Sequence, residues 1–170
     1  YHFDAGKFAR LLHEHATGKL GVHYVSANVE HVDAREDGDI SGLRLDTGER
    51  IEGDLFVDCT GQKSLLLGQH FGVGFIPVKD VLFNDRAIAV QVPHEAPNDP
   101  IASATVSTAV DAGWIWDIAL RSRRGIGYVH SRAYTGEGVA IATLQAYVCE
   151  HFPASSRVAL AVRTIPCGPG

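Results

Sequence analysis

Four strand-length stretches lie between residues 86 and 132, and they constrain the fold more than any other feature of the chain. They are Arg86 to Val92, Ala102 to Val110, Gly113 to Leu120 and Gly125 to Arg132. In the first stretch Ile88, Val90 and Val92 alternate with smaller or polar residues. This period of two is typical of a strand with one buried face. Because short links join antiparallel neighbours, the stretches predict an antiparallel sheet with one face of mixed polarity.

Both tryptophans of the chain, Trp114 and Trp116, lie in the third stretch. Successive side chains of a strand point to opposite faces, so the two indoles share one face with Ile118. Ile115 and Asp117 then lie on the other face. Two adjacent indoles form a large, stiff apolar surface, which suits either a hydrophobic core or the wall of a cavity for a flat ring system. The spacing alone favours the core, since aromatic residues are mostly buried.

The N-terminal part of the chain predicts a helix followed by a β-meander. Asp4 is a suitable N-cap for a helix from Ala5 to Ala16, with its apolar stripe on one side and Gly18 as its end. Four β candidates follow: Val22 to Ala27, Val29 to Arg35, Ile40 to Leu45 and Arg50 to Glu52. The acidic and glycine-containing links at residues 36–39 and 46–49 are typical of hairpins.

A short apolar run, Leu55 to Val57, comes next and ends in Asp58-Cys59-Thr60-Gly61. An unbroken apolar run predicts a strand buried on both faces, as in a parallel sheet. Ligands of such sheets bind beyond the carboxyl ends of the strands. Asp58 or Thr60 could hydrogen-bond a ribose or a water there, and Gly61 allows close backbone approach. The alternative is that the segment only turns the chain into a helix over residues 62–71.

The rest of the chain adds loops, a helix and a last strand. Residues 72–77 and 93–100 are predicted loops. Arg121, Arg123 and Arg124 lie between two predicted strands and are expected in a solvated loop. Glu137 to His151 predicts an amphipathic helix, and Val158 to Ile165 a short strand.

Several segments together resemble the flavin-dependent tryptophan halogenases. They are Tyr1 to Ala5, Asp54 to Gly61, Asp85 to Pro93, Gly113 to Ile118 and Gly127 to Ser131. The W-x-W-x-I-P signature of that family matches at Trp114, Trp116 and Ile118, and Ala119 replaces its proline. The resemblance extends from residue 1 to about residue 150. The family's G-x-G-x-x-G motif for FAD does not occur in the chain.

The resemblance implies a mixed α/β (α+β) fold, the central part of a FAD-binding monooxygenase-like protein. Residues 1–71 are expected to belong to a nucleotide-binding β/α region. Residues 72–170 are expected to form a cavity region whose antiparallel sheet is a cavity wall. The family's catalytic lysine and glutamate are expected outside this segment, so the segment alone is expected to be inactive.

The implied chemistry is halogenation of an electron-rich aromatic such as tryptophan. It uses oxygen, chloride or bromide, and reduced FAD supplied by a separate flavin reductase. Asp58, Cys59, Thr60 and Gly61 are expected to contact FAD, and Asn28 and Val29 are expected near its adenine. Trp114, Trp116 and Ile118 are expected to line the tunnel between flavin and substrate. No residue of the segment is assigned a catalytic role.

Composition limits the other partners and the compartment. The net charge of −5, with dispersed charges, offers no basic stripe for nucleic acid, and there is no long apolar run for a membrane. Three widely spaced cysteines and the spacing of the histidines argue against a metal site and favour a reducing cytoplasm. The expected partners are a small aromatic substrate and a transient flavin reductase, and a homodimer is left open.

Two alternatives to a halogenase segment remain at this point. One is a FAD-dependent aromatic monooxygenase or reductase of the same fold, since fold does not dictate chemistry. The other is a binding module without catalysis.

Overall fold

The computed structural model describes residues 2–96, 98–154 and 163–166. The chain divides into two compact units, one of Leu11–Ile76 and one of Tyr1–Arg10 with Pro77–Gly170. Each unit has its own antiparallel sheet, and the mixed α/β class expected from the sequence is confirmed. The assignment of residues 1–71 and 72–170 to nucleotide and cavity regions stays a prediction.

The first helix, α1, spans Ala5–Lys19. Asp4 caps it as predicted, because its Oδ1 accepts a hydrogen bond from the backbone N–H of Lys7 at 3.2 Å. The helix continues through Gly18, the predicted end. None of its residues is buried, and Leu11 and Leu12 are 61% and 51% exposed. The apolar stripe of α1 is therefore present but uncovered in this chain.

Three strands form the sheet of the unit Leu11–Ile76: β1 Val29–Ala34, β2 Ile40–Leu45 and β3 Arg50–Glu52, in the order β1-β2-β3. Their antiparallel hairpins are confirmed, with Gly38 and Gly48 at φ 92° and 82° in the two links. The first of the four β candidates, Val22 to Ala27, does not form a strand, so that prediction is wrong. The backbone N–H of Val22 donates to the carbonyl of Ala16, which extends the end of α1, and no ladder follows until β1.

The prediction of a buried strand at Leu55 to Val57 is also wrong. These residues lie outside any strand, and Leu55 and Val57 are 83% and 75% exposed. An apolar run predicts burial of its side chains. A strand also needs neighbouring strands that pair with its backbone N–H and C=O groups, and no described segment provides them. A 3₁₀ turn at Gly61–Lys63 and a π-helical turn at Leu65–His70 follow, in place of the regular helix considered for residues 62–71.

The larger sheet contains five antiparallel strands in the order β5-β6-β7-β4-β8. They are β4 Arg86–Pro93, β5 Val106–Val110, β6 Gly113–Ala119, β7 Arg123–His130 and β8 Arg163–Pro166. The four stretches predicted between residues 86 and 132 are thus confirmed, although β5 begins later than expected. The last predicted strand is present at its C-terminal end, whereas residues 158–162 lie outside the described residues.

The core lies between one face of this sheet and the second helix, α2, which spans Glu137–His151 as predicted. Alternate residues of β4, β6 and β7 meet one side of α2. The buried cluster consists of Ile88, Val90, Val92, Ile115, Ile126, Tyr128, Ala140, Leu144, Tyr147 and Val148. The other face of the sheet points away from α2.

The expectation of a solvated arginine loop is confirmed for Arg121, which is exposed in the link before β7, and is wrong for Arg123 and Arg124. Strand β7 begins at Arg123, so Arg123 and Arg124 are strand residues. Arg124 donates to both carboxylate oxygens of Asp117, at 3.1 and 3.0 Å, and Arg123 donates to Asp4 at 2.9 Å. A charged residue can belong to a strand when a carboxylate on a neighbouring element neutralises it, and sequence spacing does not reveal that partner.

Candidate functional site

The sheet face opposite α2 carries Trp114, Trp116 and Ile118 in a row along β6. We call this surface, with its cross-strand neighbours, the tryptophan face. Trp114 is 39% exposed, whereas Ile115 and Asp117 on the α2 side are 1% and 3% exposed. The predicted division of β6 into two faces is therefore confirmed, and the tryptophans do not belong to the core under α2.

Small residues surround the two indoles on the tryptophan face. The strand register places Gly127 opposite Trp116 and Val129 opposite Trp114. In the next strand Ala89 lies opposite Gly127, and in β5 Ala109 lies opposite Trp114. A face of indoles and small side chains is wide, shallow and apolar, which is the form of a wall for a flat aromatic molecule.

The two indoles pack edge to face, with ring centroids 6.3 Å apart and planes at 61°. This arrangement is favourable for an aromatic pair and fixes the relative position of the rings. Neither an indole nor the side chain of Ile118 exchanges protons near neutral pH. The face can therefore shape a cavity and exclude water, but it supplies no acid, base or nucleophile.

The segment from Asp58 to Gly61 forms a closed loop around the Asp58 carboxylate. Oδ1 accepts from the N–H and the hydroxyl of Thr60 at 3.1 and 2.6 Å. Oδ2 accepts from the N–H groups of Leu66 and Leu67 at 2.9 and 3.1 Å. The Thr60 hydroxyl and these backbone N–H groups lower the pKa of Asp58 to about 2. The carboxylate therefore holds the loop and the following turn together.

The loop presents main chain at its exposed end. Gly61 has φ 63°, a left-handed conformation that favours glycine, and no atom lies within 4 Å of where a Cβ would stand. The Thr60 hydroxyl is already used, because it also accepts from the N–H of Leu65 at 2.9 Å. A dinucleotide contact here would therefore involve the exposed backbone from Cys59 to Gly61, and the residues present fit FAD in that respect.

Asn28 is held at the start of β1 by reciprocal contacts with the β2–β3 link. Its side-chain amide donates to Asp46 Oδ2 at 2.7 Å, and its backbone N–H donates to Oδ1 at 3.2 Å. The backbone N–H of Asp46 returns a bond to the Asn28 carbonyl at 2.9 Å. The Asn28 amide and backbone lower the pKa of Asp46. Sequence reasoning selected Asn28 and Val29 but missed Asp46, which fixes their position.

A polar cleft of about 490 Å³ lies at the N-terminal end of α2. It is lined by Arg86, His130, Arg132, Thr135, Gly136, Glu137 and Thr164. His130 is 2% exposed, and its Nδ1 has no hydrogen-bond partner among the described residues. Burial lowers the pKa of His130, which keeps the imidazole neutral near pH 7. The cleft is on the α2 side of the sheet, away from the tryptophan face.

The structure brings the selected residues together in two groups. Trp114, Trp116 and Ile118 share the tryptophan face, in the unit that contains α2. Asp58, Cys59, Thr60 and Gly61 share one loop, and Asn28 with Val29 begins β1; these six belong to the unit Leu11–Ile76. Gly127 was not selected from the sequence, and only the strand register reveals it.

In the described part of the chain, no cluster of three or more His, Cys, Asp or Glu side chains could hold a metal ion. No helix within the described ranges is long and apolar enough to cross a membrane.

Comparison with known proteins gives consistent results. The family model described as Tryptophan halogenase matches residues 1–164. Tryptophan 7-halogenase RebH of Lentzea aerocolonigenes is 40% identical over 141 residues, covering 83% of this chain and 27% of RebH. The solved tryptophan halogenase from Shewanella frigidimarina has a TM-score of 0.88 and 46% identity, covering 98% of this chain and 31% of that one. BrvH, a flavin-dependent halogenase from Brevundimonas sp. BAL3, has a TM-score of 0.85 and 40% identity, covering 97% and 32%.

Proposed function

Because this chain belongs to the tryptophan halogenase family, we propose that it is the central segment of a flavin-dependent halogenase acting on an electron-rich aromatic such as tryptophan. The chain spans about 30% of the length of the relatives described above. The proposal therefore concerns the intact enzyme that contains this segment. We expect the segment alone to be inactive and the intact enzyme to be cytoplasmic.

The observation that carries the proposal is the tryptophan face. An edge-to-face indole pair with Trp114 exposed and Trp116 half-buried, backed by a buried core on the other side of the same strand, supports a role as a cavity wall. In the intact enzyme this surface would wall the route between cofactor and substrate. Its task is to keep water and side reactions away from a reactive halogenating species.

When bound, reduced FAD delivered by a flavin reductase would supply two of the four electrons that reduce oxygen, and chloride or bromide, which gives up the other two, would be oxidised. The chain's own contribution to holding FAD would be the backbone of Cys59, Thr60 and Gly61 in the loop folded around Asp58. Asn28 and Val29, fixed by Asp46, would offer main chain near the adenine. None of these residues would take part in proton transfer.

The function is tested with the intact enzyme, a flavin reductase, FAD, oxygen, halide and tryptophan. Mass spectrometry should detect monochlorinated or monobrominated tryptophan, depending on the halide added. A hydroxylated product would instead support an aromatic monooxygenase. Flavin oxidation without any modified aromatic would reject both, and an absence of FAD binding would favour a binding module.

The role of the tryptophan face is tested by Trp114→Ala and Trp116→Ala in the same enzyme. We expect both variants to remain folded and to oxidise reduced flavin, while the yield of halogenated product per flavin oxidised falls. Opening the wall lets the halogenating species escape before it reaches the substrate.

Ile115→Ala is the matched control, because Ile115 lies between the two tryptophans on the buried face. Truncating such a core residue typically costs about 2–5 kcal/mol of unfolding free energy, so its melting temperature should fall while the yield per flavin of the folded fraction is kept. If the tryptophan variants instead lose melting temperature and keep a normal yield, the indoles are only structural.

A further inference from the structure

We infer that Gly127 is a positioning residue, whose missing side chain lets the outer ring of the Trp116 indole lie directly against β7 and so sets the depth of the tryptophan face. The inference deepens the proposed function, since it concerns the same wall. It rests on a contact between two residues of one sheet, and that contact can be measured whether or not the enzyme halogenates.

The contact is visible in the space that a side chain at position 127 would need. A Cβ on Gly127 would lie 2.1 Å from both Cζ2 and Cη2 of Trp116, and 2.7 Å from the carbonyl oxygen of Ile88. Carbon atoms that are not bonded approach favourably only to about 3.5–4.0 Å. The outer ring of the Trp116 indole therefore fills the volume in which any other residue would place its side chain.

Space, and not backbone conformation, requires glycine at this position. The φ of Gly127 lies outside the left-handed region. Gly125 is on the same strand and the same face, opposite Ile118, and it has no atom within 4 Å of its Cβ position. The tryptophan face thus contains one glycine that is covered by an indole and one that is open.

A side chain at position 127 would have to move the indole. The Ile88 carbonyl belongs to β4, in the interior of the sheet, and cannot withdraw. The ring of Trp116 would have to rise from the sheet toward the cavity, and the 2.7 Å contact with the Ile88 carbonyl would strain the two strands whether or not the ring moves. Movement of the ring would also disturb its edge-to-face contact with Trp114, whose ring centroid lies 6.3 Å away. Gly127 consequently acts through Trp116 and needs no contact with substrate or cofactor.

The test compares Gly127→Ala with Gly125→Ala in the intact enzyme, since the two substitutions add the same methyl group to the same face of β7. The first readout is circular dichroism, because two indoles this close couple their transitions and give a paired signal. Difference spectra against the parent enzyme isolate that signal. The second readout is halogenated product per flavin oxidised, measured beside the melting temperature.

We expect Gly127→Ala to change the paired signal and to lower the yield per flavin about tenfold, since misplacement by about 1 Å can cost up to about 100-fold. Gly125→Ala should keep both. Adding Gly127→Ala to Trp116→Phe should not lower the yield further, because phenylalanine lacks the outer ring that collides. The melting temperature of the double variant should still fall, because the added Cβ lies 2.7 Å from the Ile88 carbonyl oxygen whichever ring stands at position 116.

Each other outcome overturns the inference. An unchanged paired signal in Gly127→Ala would show that the indole does not depend on glycine. Equal losses in Gly125→Ala would show that β7 tolerates no methyl group. Additive losses of yield in the double variant would show that Gly127 and Trp116 are independent. If Gly127→Ala does not fold, the Trp116→Phe background still decides: folding restored there supports the contact with the indole, whereas continued failure would assign the loss to the Ile88 carbonyl and reject a role through Trp116. If the enzyme halogenates nothing, the spectra and melting still test the contact while the proposed function fails.

Discussion

The burial of the ion pair between Asp117 and Arg124 predicts how much unfolding free energy is lost when one partner is removed. The Asp117 side chain is 4% exposed and that of Arg124 13%, and two hydrogen bonds of 3.1 and 3.0 Å join them. The guanidinium carbon of Arg124 also lies 4.6 Å from the ring centre of Phe152, just after α2. The pair therefore connects β6, β7 and the end of α2 on the side of the sheet opposite the tryptophan face.

Arg124→Ala leaves the Asp117 charge buried without a partner. Breaking a buried pair in this way costs about 3–5 kcal/mol, and the lost cation–π contact adds about 0.5–2 kcal/mol. Asp117→Asn keeps the shape of the side chain, and Arg124 can still reach water at its exposed edge. Its cost should therefore be lower, about 1.5–3 kcal/mol, the contribution of a hydrogen bond to a charged group.

Urea unfolding of the intact enzyme and of each variant measures these values. Asp117→Leu combined with Arg124→Met should be less destabilised than Arg124→Ala alone, because replacing both charges by apolar side chains is often nearly neutral. If both single variants lose less than about 1 kcal/mol, the pair behaves as an exposed one. Burial would then not determine how much the pair contributes to the unfolding free energy.

Two predictions concern pH. Because the pKa of Asp58 is lowered from 3.8 to about 2, its ionised form stabilises the loop above pH 3.8, and this contribution is lost as the pH falls toward 2. Acid titration followed by circular dichroism should show that loss in the parent enzyme but not in Asp58→Asn. The Asp58→Asn variant should also bind FAD more weakly at neutral pH. If the two proteins give the same titration curve, the loop does not depend on the Asp58 carboxylate. His130 faces Asp85, Glu137 and Arg86, and burial lowers its pKa below the ordinary 6.5. Because the unfolded chain then binds a proton at a higher pH than the folded one, the unfolding free energy should decline as the pH falls below 6.5. His130→Gln should make that decline shallower, and an unchanged pH profile would show that His130 is not held neutral.

The antiparallel sheets could be predicted well because their signals are local. The period of two in β4 places Ile88, Val90 and Val92 on the core side by itself. The hairpin links can be recognised from Gly38 and Gly48, because the turns require the positive φ that glycine adopts. Trp114 and Trp116 share a face for the same geometric reason, and that prediction needed no knowledge of their neighbours.

The errors arose where the answer depends on which residues of neighbouring strands lie beside one another. Leu55 to Val57 has the composition of an inner strand, but composition does not state which strands would flank it. Arg124 looks solvated until Asp117 is found beside it across the sheet. Gly127 gives no signal in a linear reading, because its importance lies in an indole that reaches it from the next strand.

The two faces of the large sheet carry different residues, because one face packs against α2 and the other carries the two tryptophans. Alternate residues of one strand are under different constraints, since Ile115 and Asp117 are buried on the side of α2 while Trp114 and Trp116 lie on the opposite face. If the tryptophan face walls a cavity as proposed, substitutions at Ala89 and Ala109 would alter the accepted aromatic molecule and leave the core under α2 unchanged. A laboratory library restricted to the residues of this face would then vary the cavity without varying the core.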